Sequence, residues 1–139
     1  MGKLSAKELD GLLEALDDEY NAWATYDRVI RDFGEIRPFI NIRDAEARHI
    51  DALVALLSAY GLTPPGNHWE GKTERFDGVA SACAAAVQAE IDNAGLYERL
   101  LQSTERPDIL RVYHNLMDAS QNRHLPAFQR CMNRIQSTA

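Results

Sequence analysis

Apolar residues recur at steps of three and four along most of this chain, which is the spacing of one buried face of an α-helix. Glycine and proline residues interrupt the pattern between these stretches and mark where helices begin and end. The pattern predicts four helices, at about residues 6–33, 38–60, 77–103 and 107–136. No stretch of useful length alternates apolar and polar residues as a strand does, so we expect an all-α fold.

The connections between the predicted helices indicate how the helices pack. Ser5 and Glu8 match a capping box at the start of the first helix. Only a few residues separate the first two helices, which should therefore lie antiparallel. Residues 61–77 are rich in glycine and proline, and they are long enough to return along the length of a bundle. We expect one domain over residues 1–139, an antiparallel four-helix bundle with a crossover between the second and third helices.

Two residues carry further expectations about the shape of this bundle. Trp69, in the crossover, should cover one end of the core. Pro126 falls inside the fourth predicted helix, where it removes one backbone hydrogen bond and favours a kink. That kink should lie beside His124.

Composition excludes several classes of function. The chain has 139 residues, 45% of them hydrophobic, and a net charge of −6, which argues against a nucleic-acid surface because such a surface needs a basic stripe. No apolar run approaches the roughly 20 residues of a membrane span. The first residues lack the apolar core of a signal peptide, so we expect a cytoplasmic protein with no membrane partner.

The two cysteines, Cys83 and Cys131, are not part of any Cys-x-x-Cys pair. A rubredoxin-type iron site or a zinc ribbon needs two such pairs, so both are excluded. Each cysteine falls on an apolar helical position, and the pattern predicts two buried free thiols.

Six polar residues interrupt the apolar faces of the predicted helices, each near the middle of its helix. They are Glu19 on the first helix, Glu46 and His49 on the second, Glu90 on the third, and Gln121 and His124 on the fourth. Middle positions of neighbouring antiparallel helices share one level, so these six side chains should meet in one layer of the core. An unpaired buried carboxylate is costly, so this layer requires compensating charge.

Two alternatives supply that charge. The carboxylates and imidazoles can ligate metal ions, or they can pair with one another and with arginine in a metal-free core. Independent core polar residues have no reason to choose the same layer. This coincidence favours the metal site, and oxygen and nitrogen ligands of this kind suit iron or manganese.

The two halves of the chain also resemble each other. Glu19 precedes Tyr26 by seven residues, and Glu90 precedes Tyr97 by seven. Each tyrosine therefore lies on the same face as its glutamate, two turns further on. Core packing is the favoured role for these tyrosines, and orienting a ligand carboxylate or carrying an electron are the alternatives.

Ferritin-like di-iron carboxylate proteins have a characteristic ligand pattern on four successive helices. The first and third helices each carry one Glu, and the second and fourth each carry a Glu-x-x-His motif. The chain resembles the short rubrerythrin relatives without a rubredoxin domain, and DDEYNAWATY at 17–26 and LYERL at 96–100 strengthen the likeness. The resemblance implies two iron ions, with manganese or zinc as substitutes, and an oxidoreductase acting on peroxide or O₂ with a separate electron donor. A non-catalytic iron-binding module and a metal-free structural bundle are the alternatives.

The chain departs from the family pattern at two positions. Gln121 stands where the second motif has Glu, and Asn93 stands where rubrerythrins carry a further carboxylate. Three glutamates leave one positive charge of two divalent ions uncompensated. Either a bridging hydroxide restores the balance, or the second metal site is weak or empty, or the oxidised pair of ions is harder to reach.

Ferritin-like bundles often pair through the outer faces of their first two helices. The first predicted helix here carries five charged residues on its outer face: Asp10, Glu14, Asp18, Arg28 and Arg31. A homodimer contact and an ordinary solvated surface are both compatible with these charges.

Overall fold

A computed structural model describes residues 2–138 of the chain. The helices are α1 (Ala6–Phe33), α2 (Phe39–Ala59), α3 (Val79–Leu100), α4 (Pro107–Ala119) and α5 (Leu125–Thr138), with a π-helical turn (Ser120–His124) between the last two. Because α4, the π turn and α5 are continuous, they form one long helix. The described residues therefore form four long helices and no strand. The predicted all-helical fold is thereby confirmed. None of the described helices combines the length and apolar composition needed to cross a lipid bilayer.

The start of α1 shows how local signals and long-range contacts cooperate. The Glu8 backbone N–H donates to Ser5 Oγ at 3.0 Å, and the Ser5 backbone N–H donates to Glu8 Oε1 at 2.9 Å, so the predicted capping box is confirmed. The same carboxylate accepts hydrogen bonds from Thr104 Oγ1 at 2.6 Å and from Arg106 Nε at 3.0 Å. Glu8 therefore ties the start of α1 to the connection between α3 and α4.

Two clusters of buried apolar side chains fill the bundle. One contains Leu12, Leu16, Leu53, Leu57, Tyr97, Ile109 and Tyr113 among others. The other contains Tyr26, Val29, Phe39, Ala86, Phe128 and Cys131 among others. Along α1, the buried Glu19 falls between the residues of the first cluster and those of the second. A layer of buried polar residues therefore lies between the two apolar clusters, near the middle of the helices.

The segment between α2 and α3 lies against α1. Tyr20 Oη donates to the Pro65 carbonyl at 2.7 Å, and Arg75 Nη2 donates to Asp32 Oδ1 at 2.8 Å. Trp69 is half-buried, and its indole N–H donates to Asp17 Oδ1 at 3.0 Å. Asp17 lies near the middle of α1, so the expectation that Trp69 covers one end of the core is wrong. The indole N–H instead bonds a side chain on the side of α1.

The cysteines are buried as predicted, but they are not free. Cys83 on α3 and Cys131 on α5 form a disulfide across 48 residues of sequence. The apolar positions were identified correctly. Pairing depends on which two helix faces meet, and the sequence pattern does not contain that information.

The irregularity expected at Pro126 appears just before that residue. The Leu125 backbone N–H donates to the Ser120 carbonyl, five residues back, which defines the π turn. The fourth predicted helix is therefore two α-helical segments with a wider turn between them, and His124 is the last residue of that turn.

Candidate metal centre

Each of the four long helices contributes a side chain to the layer of polar residues between the two apolar clusters. Glu19, Glu46, Glu90 and His124 are all buried, with at most 4% of their surface exposed, and His49 is partly buried. Five of the six predicted site residues therefore meet in one layer. Their mid-helix positions on faces of helical period explain the convergence.

The five side chains form two groups that share Glu46. The first group is Glu19, Glu46 and His49, and the second is Glu46, Glu90 and His124. Within each group, one potential ligand atom per residue lies within 4.8 Å of the others. The shared carboxylate is thus a member of both sets.

The two oxygens of Glu46 face different histidines. His124 Nδ1 lies 3.0 Å from Glu46 Oε1 and 3.2 Å from Glu90 Oε1. His49 Nδ1 lies 3.7 Å from Glu46 Oε2 and 3.3 Å from Glu19 Oε2. The imidazole rings are stacked, with centroids 5.4 Å apart. Glu46 therefore stands between the groups and presents one oxygen to each.

Two tyrosine hydroxyls hold the outer carboxylates. Tyr97 on α3 donates to Glu19 Oε1 on α1 at 2.7 Å, and Tyr26 on α1 donates to Glu90 Oε2 on α3 at 2.5 Å. Burial and the neighbouring carboxylates raise the pKa of both hydroxyls well above the ordinary tyrosine value. Each tyrosine also packs in an apolar cluster, so the favoured packing role and the alternative of orienting a carboxylate occur together.

Sequence reasoning missed two polar residues that support the layer, and it treated a third, Asn93, only as a missing carboxylate. The buried Asn93 amide donates to Glu19 Oε1 at 3.1 Å and to Asp18 Oδ2 at 2.5 Å. The Ser120 hydroxyl lies within hydrogen-bond distance of Glu90 Oε1, at 2.9 Å, and of Asn93 Oδ1, and its single proton is shared between these two acceptors. Asp18 was assigned to the outer face of the first helix, yet it is half-buried, and burial raises its pKa to about 6. Asn93 lies three residues after Glu90, a helical spacing that indicated its position.

The expectation that Gln121 faces the metal layer is wrong. Its side chain is exposed to solvent, whereas Ser120, one residue earlier, is buried beside Glu90. The prediction assumed an ordinary α-helix, in which residues three apart share a face. The π turn is wider, so the residue four positions before His124 shares its face instead.

Burial and the neighbouring charged side chains shift the pKa values of the glutamates and histidines in the two groups. Burial opposes the charged form of both imidazoles, yet hydrogen bonds to Glu19 and Glu46 raise the pKa of His49 to about 10. In the same way, hydrogen bonds to Glu46 and Glu90 raise the pKa of His124 to about 9. Burial and the charge of Glu46 raise the pKa of Glu19 to about 7. Hydrogen bonds to Glu19 and the histidines lower the pKa of Glu46, although burial acts against them.

The donor set fits divalent transition metals. Three carboxylates and two imidazoles offer the hard oxygen and nitrogen ligands that iron and manganese accept, and the set contains no thiolate. The outer carboxylates are already held by hydroxyl and amide donors. Such hydrogen bonds orient ligands in metal sites.

No model of a known protein family matches the sequence. The chain is 29% identical to the uncharacterized protein MJ0754 of Methanocaldococcus jannaschii over an alignment of 146 positions, gaps included, that covers 94% of this chain and 77% of that protein. The crystal structure of that hypothetical protein superimposes with a TM-score of 0.87 at 26% identity, covering 98% of this chain and 85% of the other.

A second structural neighbour is the conserved hypothetical protein rv2844 of Mycobacterium tuberculosis. It superimposes with a TM-score of 0.77 at 18% identity, and 92% of each chain is covered. At this identity the likeness shows the helical fold alone. The chain is therefore similar in fold to these two hypothetical proteins.

Proposed function

We propose that this chain is a ferritin-like metal-binding protein that holds two iron ions and acts on peroxide or O₂ as a rubrerythrin-type oxidoreductase. In this proposal residues 61–77 are the crossover between the second and third helices of the ferritin-like bundle. Manganese and zinc are the alternative metals. A separate protein supplies the electrons. The chain works in the cytoplasm, and we also propose that it forms a homodimer through the outer faces of α1 and α2.

The observation that carries this proposal is the sharing of Glu46 by two groups of ligands. Each group contains two carboxylates and one imidazole, all buried or partly buried. Isolated ion pairs in a core do not require a carboxylate that presents one oxygen to each of two histidines. A shared carboxylate suits two adjacent metal ions, because it offsets part of the charge of both.

The chain's own residues have definable roles at such a centre. Glu19 and His49 would hold one ion, Glu90 and His124 the other, and Glu46 both. Tyr97 and Tyr26 fix the outer carboxylates, because each donates to one oxygen of one of them. Iron bound at this place would supply one-electron redox chemistry.

Metal analysis of variants tests the proposal. Protein produced in iron-rich medium should contain close to two equivalents of iron. Glu46→Gln should lose most of both equivalents, because it weakens both groups. Glu19→Gln and Glu90→Gln should each lose about one. Glu98→Gln is a matched control, because Glu98 is an exposed residue of α3 and should leave the metal content unchanged.

The outcomes separate the alternatives. Two equivalents of iron with a visible band that bleaches on reduction, and with peroxide turnover, support the oxidoreductase. Tightly bound iron without turnover of peroxide identifies a non-catalytic iron-binding module. Equal metal content in Glu46→Gln and Glu98→Gln contradicts the shared centre.

One observation favours the metal-free structural bundle as a second candidate. The high pKa values of His49 and His124 mean that both imidazoles can be protonated beside the carboxylates. Two cationic imidazoles balance two of the three glutamates, and the raised pKa of Glu19 reduces the remaining charge. The layer is therefore compatible with a closed set of ion pairs, and wild-type protein without metal would establish this candidate.

A further inference from the structure

A cavity of about 380 Å³ lies between α1, α3 and the segment at residues 69–76. This volume falls within the range of small-molecule sites. Glu90, Tyr26 and Asn93 are part of its lining, and all three belong to the hydrogen-bonded layer around the candidate metal centre. The cavity therefore reaches from the protein surface to a carboxylate of that centre. Peroxide and O₂ have two heavy atoms each and do not require a cavity of this size.

Small side chains on α3 create the space. Four alanines of that helix line the cavity: Ala82, Ala85, Ala86 and Ala89. Aromatic side chains of other segments also line the cavity, namely Phe39 of α2 and Trp69 and Phe76 of the segment after it. Hydrogen bonds from Trp69 to Asp17 and from Arg75 to Asp32 hold that segment against α1. The cavity thus has an apolar side formed by the alanines and these rings, and hydrogen bonds hold the segment that forms one of its walls.

The charges that line the cavity are predominantly negative. Three carboxylates, those of Asp18, Glu74 and Asp92, line the cavity together with one basic residue, Lys72, whereas the fourth lining carboxylate, Glu90, lies 3.2 Å from His124 Nδ1. Asp18 is half-buried, whereas Glu74 and Asp92 are exposed at the rim. A cation is attracted both by these carboxylates and by the faces of aromatic rings. An anionic ligand would be repelled, and a neutral one would gain nothing from the charge.

We propose that this cavity binds a small organic cation, a primary amine on an apolar body, with its apolar part against the alanines of α3. The amine occupies the acidic side of the cavity near Asp18 and Asp92. That the amine is a substrate of the metal centre rests on the proposed function. The binding site itself needs only the cavity and its charges.

Tryptophan fluorescence of metal-free protein measures this binding. Trp23 and Trp69 are the two tryptophans of the chain, so the Trp23→Phe background leaves only the residue in the cavity wall. Phenethylamine should change the fluorescence saturably. Its neutral counterpart 2-phenylethanol should bind about tenfold more weakly, the effect of about one favourable charge interaction, and 3-phenylpropionate should bind more weakly still. Calorimetry on the same samples detects binding that leaves fluorescence unchanged.

Two pairs of variants locate the site. Ala85→Leu fills the cavity and should lower the phenethylamine affinity at least tenfold, whereas Ala84→Leu changes an exposed neighbour outside the lining and should not. The double variant Glu74→Gln/Asp92→Asn should lower amine affinity several-fold and leave 2-phenylethanol binding unchanged. Glu70→Gln/Glu98→Gln removes two exposed charges outside the cavity and serves as its control.

The results separate this site from the proposed function. Absence of both heat and fluorescence change, equal binding of amine and carboxylate, or equal losses in Ala85→Leu and Ala84→Leu would each overturn the cation site. Iron close to two equivalents without amine binding removes the cavity proposal and leaves the metal centre. Selective amine binding, together with wild-type protein that contains no iron after production in iron-rich medium, supports the cavity site and refutes the oxidoreductase.

Discussion

The hydroxyl of Tyr97 donates a hydrogen bond of 2.7 Å to Glu19, although the two residues lie on different helices. Tyr26 and Glu90 repeat this relationship with the helices exchanged. Each of α1 and α3 therefore supplies one carboxylate and the tyrosine that holds the carboxylate of the other helix. On each helix the Tyr lies seven residues after the Glu, and it bonds the Glu of the other helix rather than its own.

Tyr97→Phe should weaken the candidate centre without disrupting the apolar core. The ring remains, but Glu19 loses a donor and keeps only the hydrogen bond from Asn93 at this oxygen. Loss of a hydrogen bond to a buried charged group costs about 1–3 kcal/mol. Losing an outer partner of a metal ligand costs about tenfold to 100-fold in metal affinity. Urea unfolding and iron titration measure the two effects.

Tyr113→Phe is the matched control for this experiment. The Tyr113 hydroxyl is buried and lacks a hydrogen-bond partner among the described residues. Its removal should leave the unfolding free energy unchanged within about 0.5 kcal/mol or raise it. If Tyr97→Phe and Tyr113→Phe behave alike, the hydrogen bond to Glu19 contributes nothing.

The stability of the fold should fall in acid through Glu8. Hydrogen bonds from Thr104 and Ser5, together with Arg106, lower the pKa of Glu8 from the ordinary 4.5 to about 2. Because the folded-state pKa is the lower one, its contribution is complete above pH 4.5 and is lost as the pH falls toward 2. We expect Glu8→Gln to cost about 1–3 kcal/mol at pH 7 and much less near pH 2.

The control for this pH dependence is Glu14→Gln. Glu14 pairs with Arg99 at 2.6 Å, but both side chains are at least half exposed. Exposed pairs contribute little, so this variant should unfold like the wild type at every pH. A cost of Glu8→Gln that stays constant between pH 7 and pH 2 would contradict the lowered pKa.

The sequence predicted the parts of this protein that depend on periodicity. The faces of α1, α2 and α3 are regular, so helical spacing alone was enough to place Glu19, Glu46 and Glu90 in the core. The capping box is equally local, since Ser5 and Glu8 are three residues apart. Burial of Cys83 followed from its apolar neighbours in the same way.

The features that the sequence did not predict depend on contacts between elements or on a change of helix type. The π turn moved Gln121 to the surface and Ser120 into the layer, and hydrophobic pattern alone does not distinguish a π turn from an α turn. Asp18 is held by Asn93, 75 residues away. The disulfide likewise depends on how α3 meets α5.

Reduction of the disulfide should lower stability substantially. The bond closes a segment of 48 residues, and the chain-entropy model gives about 4 kcal/mol for a loop of this size, with about 2–5 kcal/mol typical of native disulfides. Urea unfolding with and without reductant measures the difference. The double variant Cys83→Ala/Cys131→Ala should be insensitive to reductant. Two titratable thiols in unfolded, unreduced wild-type protein would show that the bond is absent.

Ser120 and Gln121 provide the sharpest test of the candidate centre, because they are adjacent but the first is buried and the second is exposed. Gln121→Glu adds a charge at an exposed position, so metal content and melting temperature should stay as in the wild type. Ser120→Asp adds the same charge beside Glu90, where the hydroxyl now lies 2.9 Å from Oε1. The two variants have the same net charge, so only position distinguishes them.

The response of Ser120→Asp depends on whether metal occupies the layer. Without metal, a fourth carboxylate in the layer raises repulsion and desolvation and should lower stability by about 1–3 kcal/mol. With metal, the added charge offsets the excess positive charge of two divalent ions, so iron content should rise and Fe²⁺ or Mn²⁺ should raise the melting temperature. We expect a metal-dependent rise in Ser120→Asp that Gln121→Glu does not share. A Ser120→Asp protein that melts lower than the wild type and is unaffected by either ion would exclude the metal centre, because the carboxylate would then have met no cation.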